Sequence, residues 1–81
     1  MAKPSPTHSG NPLLIAIGEA VRAERTALGM SQEMLALEAE LDRSYVGGIE
    51  RGEHNLTLIN LQRIAQAMGL TPSDLLKSSG Y

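Results

Sequence analysis

With 81 residues the chain can bury one small core and no more than one domain. It has no cysteine, Phe or Trp, so neither a disulfide framework, a thiolate metal site nor an aromatic-rich sandwich can hold it together. The formal charge of −2 gives little long-range attraction for a polyanion, so any positive face must come from where a few arginines are placed.

In chain order, Met1 to Asn11 is a Pro/Ser/Gly/Thr segment without periodicity and is expected to be disordered. Asn11-Pro12 then reads as an N-cap followed by Pro at the first helical position. Ile17, Val21 and Leu28 mark the buried stripe of a first helix that Gly29 ends. Arg25 falls on that stripe four residues after Val21, and a cation there requires a partner. Ser31 caps a second helix, in which Leu35, Ala36 and Ala39 face inward and Met34 and Leu37 do not. The phase is lost at Glu40-Leu41-Asp42, where Asp42 offers another N-cap. A third helix follows from Arg43 to Arg51, with Val46 and Ile49 inside and Gly52 as its stop. Two helices joined by so short a turn must cross steeply, which makes residues 31–52 a helix-turn-helix whose second helix stands out as a ridge.

Gly47 and Gly48 are unusual in a helix interior, where the pair costs roughly 1.6–2 kcal/mol relative to Ala. They serve either close approach of the backbone to a ligand or tight packing against a neighbour. After the loop Gly52 to Leu56, Thr57 caps a fourth helix with Leu58, Leu61, Ile64, Ala65 and Met68 on one face, ended by Gly69. Thr71-Pro72-Ser73-Asp74 combines an N-cap, Pro at the first position and an acid at the third, the start of a short fifth helix ending near Leu76. The folded domain is therefore expected over 12–77, with 78–81 frayed. The fold class is all-α, with five helices.

These segments resemble the Cro/repressor-type helix-turn-helix family, most of all the small controller proteins of restriction–modification systems. The resemblance runs from Leu13 to Leu76. It is carried by Arg22-Ala23-Glu24-Arg25, Leu28-Gly29-Met30-Ser31-Gln32-Glu33, Asp42-Arg43-Ser44-Tyr45, Ile49-Glu50-Arg51-Gly52 and Asn55-Leu56-Thr57-Leu58, followed by Leu61, Ile64 and Ala65. It implies a lambda-repressor-like DNA-binding domain in a transcription regulator. It also implies that Arg25 pairs with Glu50, that Gln32 reaches a phosphate, and that Arg43, Ser44, Gly47 and Gly48 face bases, with Tyr45 beside them. Arg51 and His54 stand where relatives contact the backbone or minor groove, although His54 replaces the Arg of some controllers. Glu40 departs from the Gly common at this corner. Residues 1–11 could form a groove-tracking arm, as in some relatives. Of the implied base readers, Arg43 has the strongest chemistry, since a guanidinium fork matches O6 and N7 of guanine.

The partners expected are double-stranded DNA with a palindromic operator, a second copy of the chain docked through Ile59, Leu75 and Leu76, and RNA polymerase as a candidate contact. No cofactor or metal is expected, because His8 and His54 have no spaced companions. No enzymatic activity is expected either, because nucleophile–base pairs and phosphate loops are absent. No apolar run approaches a membrane span and no signal-like segment follows Lys3, so the cytoplasm is the expected location. The acidic balance keeps one alternative open, a helical protein-interaction module or antitoxin-like subunit.

Overall fold

The computed structural model describes residues 3–81, and among these it has five helices and no strand. They are α1 (Pro12–Ala27), α2 (Gln32–Ala39), α3 (Arg43–Glu50), α4 (Leu58–Ala67) and α5 (Pro72–Ser78). Short polar side chains start four of them. The carboxamide of Asn11 accepts from the Leu13 amide at 2.9 Å, Ser31 from Met34 at 3.0 Å and Thr57 from Asn60 at 3.1 Å. Thr71 and Asp74 satisfy each other's amides in a capping box, at 3.1 and 2.9 Å. The exception is Asp42. It occupies the N-cap of α3 but makes no capping bond, because its carboxylate accepts the hydroxyl of Ser44 instead.

Helix α1 packs on α3 and α5, α2 on α3 and α4, and α4 on α5. Between them lies an aliphatic core in which Val21, Leu35, Val46, Ile64 and Leu75 are sealed from solvent. Two residues assigned inward by periodicity are not there. Leu28 is 54% exposed because it is the C-cap of α1, where the helical phase no longer applies, and Leu58 is 81% exposed at the first position of α4. Conversely, Leu75 has no accessible surface and belongs to the core, so it cannot serve a contact between copies; Leu76 beside it is half-buried and Ile59 is 60% exposed.

The corner between α2 and α3 keeps its short form. Glu40 adopts a left-handed conformation (φ 58°, ψ 42°) where a β-carbon costs about 1 kcal/mol, and its amide and that of Leu41 close the helix end on Leu37 and Ala36. At the other end of α3, Gly52 has φ 74°, and a β-carbon there would also lie 2.7 Å from Cγ1 of Ile15. Met1 and Ala2, part of the segment expected to be disordered, lie outside the described residues. In the remainder of that segment a turn spans 6–10, the Ser5 amide donates to the Glu53 carbonyl at 2.7 Å, and the Gly10 amide donates to that of Gly52 at 2.9 Å. At the C-terminus, where fraying is expected, the amides of Ser79, Gly80 and Tyr81 return to carbonyls of Leu75, Lys77 and Leu76.

Gly18 brings α1 against the end of α3. A β-carbon at this position would collide with the carbonyl of Ile49 and lie 2.7 Å from that of Glu50, both backbone atoms that cannot rotate away. Gly18→Ala is therefore expected to destabilise the fold by about 1–3 kcal/mol through overpacking, despite the better helix propensity of Ala. Urea unfolding would measure this, and an unchanged midpoint would show that the two helices can separate freely.

Candidate nucleic-acid interface

Helix α3 ends in an acid, Glu50, where the helix dipole already places negative charge. Cationic and amide donors from α1 and α2 offset this. Arg25 Nε donates to Glu50 Oε2 at 2.7 Å and Nη2 to Oε1 at 3.1 Å, while Nη1 donates to the Met30 carbonyl at 2.8 Å. The side chains are 10% and 4% exposed, and the carboxylate raises the guanidinium pKa above its ordinary value. Gln32, at the first turn of α2, donates from Nε2 to Glu50 Oε1 at 3.0 Å. Its Oε1 accepts from Nη1 of Arg43 at 3.4 Å. One continuous polar chain thus ties α1, α2 and both ends of α3.

On the outer side of α3, Arg43 is exposed at the N-terminus, and Ser44 beside it is half-buried with its hydroxyl on Asp42. Residues 43, 47 and 51 follow at four-residue intervals and so share one stripe. Gly47 is buried at the floor of that stripe, beneath Arg51 and Gln32, and does not face outward as expected: a β-carbon there would lie 3.2 Å from Nη1 of Arg51 and 3.6 Å from Oε1 of Gln32. Arg51 is exposed and held by Glu53, with Nε to Oε2 at 2.8 Å and Nη2 to Oε1 at 3.2 Å. Tyr45 is half-buried; its ring meets that of His54 at 4.7 Å between centroids, and its hydroxyl accepts from Asn60 Nδ2 at 3.0 Å.

Two further expected contact residues are corrected by this packing. His54 is 7% exposed, with its imidazole seated where a side chain at residue 48 would stand; a β-carbon on Gly48 would overlap Nε2 and lie 2.6 Å from Cδ2. Gly48 and His54 therefore cover each other and present little surface to a duplex. For Gly48 the reason for glycine is tight packing. Sequence reasoning overlooked Glu53, Asn60, Gly18 and the Met30 carbonyl. Only Glu53 left a usable signal, an acid two residues beyond Arg51 across a turn glycine. No helix is long and apolar enough to cross a membrane, and no group of three or more potential ligand side chains could hold a metal ion, both among the described residues.

An α2–α3 pair packed together across a turn of residues 40–42, with an exposed arginine at the start of α3, defines a helix-turn-helix domain. The helix-turn-helix family matches residues 21–75. The chain belongs to this family, and it is a DNA-binding transcription regulator. It is 43% identical over 67 residues to the control protein C.BamHI of Bacillus amyloliquefaciens, covering 82% of this chain and 83% of that one. Among solved structures it is similar to the restriction-modification controller protein C.AhdI from Aeromonas hydrophila, with a TM-score of 0.75 and 48% identity over 76% of this chain and 94% of that chain. It is also similar to the clp gene regulator ClgR from Corynebacterium glutamicum, with a TM-score of 0.81 and 26% identity over 84% of this chain and 72% of that one.

Removing one member of the Arg25–Glu50 pair strands the other among apolar neighbours. Arg25→Met or Glu50→Leu alone is expected to cost about 2–4 kcal/mol, somewhat less than a deeply buried pair because this one lies at the core's edge. The double variant should cost less than the sum of the two. Denaturant melts of the three proteins check this; a negligible effect of either single change would mean that the charges are solvated.

Proposed function

We propose that this protein is a controller of the restriction–modification type, binding a palindromic operator as a two-fold homodimer in the cytoplasm, with RNA polymerase as a further partner. The observation that carries the reading is Arg43. Its guanidinium stands exposed at the first turn of α3, and its hydrogen bond to Gln32 connects it to the buried pair that sets the angle of the helix. A guanidinium fork so placed suits O6 and N7 of guanine, with Gln32, Ser44 and Tyr45 nearby for phosphate and sugar contacts. Similarity to controllers such as C.BamHI and C.AhdI supports the regulatory role.

Selection on randomised duplexes should enrich an inverted repeat. Arg43→Ala should relax the preference at one base pair per half-site, by about 1–3 kcal/mol, and leave the thermal melt unchanged. An unaltered base preference would remove Arg43 from the readout. The net charge of −2 favours a second reading, a helical protein-interaction module. In that case the selection would enrich no duplex.

Both the number of base-reading groups and the exposed apolar surface support the dimer. One domain has few base-reading side chains, so a single half-site should bind weakly, and two recognition helices about 34 Å apart would double the contacts. Leu58 and Ile59 form an exposed apolar pair at the start of α4, 81% and 60% accessible, and with Leu76 they supply an apolar surface that an isologous contact would bury. Sedimentation equilibrium should give a monomer–dimer equilibrium in the micromolar range, shifted to monomer by Ile59→Asp. A monomer throughout, with operator binding unaltered in the variant, would defeat the dimer.

A further inference from the structure

The loop after α3 is built so that one carboxylate is fixed in place. The Glu53 amide donates to the Gly48 carbonyl at 3.0 Å, and its carbonyl receives the Ser5 amide at 2.7 Å. The next residue, His54, is wedged against Gly48. With its backbone held on both sides, Glu53 presents its carboxylate to Arg51 in the side-on geometry that occupies Nε and Nη2. The paired guanidinium lies over Gly47, on the same stripe as Arg43, with Nη1 3.2 Å from where a β-carbon on that glycine would stand. Glu53 is the less exposed member, 29% against 61% for Arg51. Each group shifts the other towards its charged form: the Arg51 pKa is raised and the Glu53 pKa lowered, first by their mutual hydrogen bonds.

A cation neutralised in this way adds little to phosphate attraction, because the carboxylate beside it repels the same anion. We infer that Glu53 withholds Arg51 from the DNA backbone, so that the domain engages a duplex with one phosphate-seeking arginine held in check on its recognition face. The inference rests on α3 meeting DNA, as in the function proposed above. Its consequence is a lower sequence-independent affinity, with base readout by Arg43 left untouched.

The test uses the full chain and the duplex enriched in the selection above, with fluorescence anisotropy at several salt concentrations. Glu53→Gln should bind several-fold more tightly at low salt. Between about 50 and 200 mM salt it should also lose about 3.5-fold more affinity per bound protomer than the wild type, the signature of one added phosphate contact. Simple loss of a repelling charge is separated from release of Arg51 by a double-mutant cycle. Arg51→Ala should cost more affinity in the Glu53→Gln protein than in the wild type, since only there is Arg51 available. Equal costs, or binding by Glu53→Gln that is unchanged or weaker, would overturn the inference while the DNA-binding reading stands. If the wild-type protein enriches no duplex, both fall.

Discussion

The carboxylate of Glu50 is the point on which three helices agree. It lies at the C-terminus of α3, where the dipole of its own helix disfavours it, and among buried neighbours that provide no water. There Arg25 of α1 donates to it twice and Gln32 of α2 donates once. Arg25 in turn closes the α1–α2 connection by donating to the Met30 carbonyl. A rotation of α3 about its axis would break several of these bonds at once, whereas the aliphatic contacts of Val46 and Ile49 alone could slide. Apolar burial holds α3 in the fold, and the directional polar chain sets its angle. On the function proposed above, the angle of α3 is the quantity that matters.

Missing side chains do comparable work on the other faces of α3. Gly18 lets α1 approach until its backbone meets the carbonyls that end α3, and Gly48 lets His54 close over the helix from the loop side. Tyr45 completes the arrangement, with its ring against His54 and its hydroxyl bonded to Asn60 of α4. The loop following the recognition helix is thereby part of the packed structure. His54 is committed to that packing, and on this side Arg51 is the exposed cation, paired with Glu53.

Features that depend on local chemistry were readable from sequence. Asn11, Ser31, Thr57 and Thr71 cap the helices they precede, and an arginine on an apolar stripe called for a partner, which the family resemblance placed at Glu50. Glu40 was legible as a conflict between residue type and corner, and the structure resolves it by accepting a left-handed conformation. What escaped notice depends on three-dimensional convergence. Periodicity cannot tell whether a helix-end leucine such as Leu28 or Leu58 still has a neighbour to cover it. It also cannot decide between Leu75 and Leu76, adjacent residues of which the core takes the first. The burial of His54 was invisible because the cavity that receives it is the absent side chain of Gly48, six residues earlier.

The acidic composition fits this architecture rather than opposing it. Of the seven Lys and Arg side chains, Arg25 is spent internally and Arg51 is paired across the turn, leaving Lys3, Arg22, Arg43, Arg63 and Lys77. A domain with so few available cations gains little from counterion release on arbitrary DNA, and the many non-specific sites of a genome compete only weakly for it. Discrimination is set by the ratio of specific to non-specific binding, which rises when the second term falls. On the function proposed above, a low positive charge combined with a tightly bonded α3 would trade total affinity for selectivity. Such a domain would depend strongly on the angle of α3, and that angle rests on the bonds to the carboxylate of Glu50.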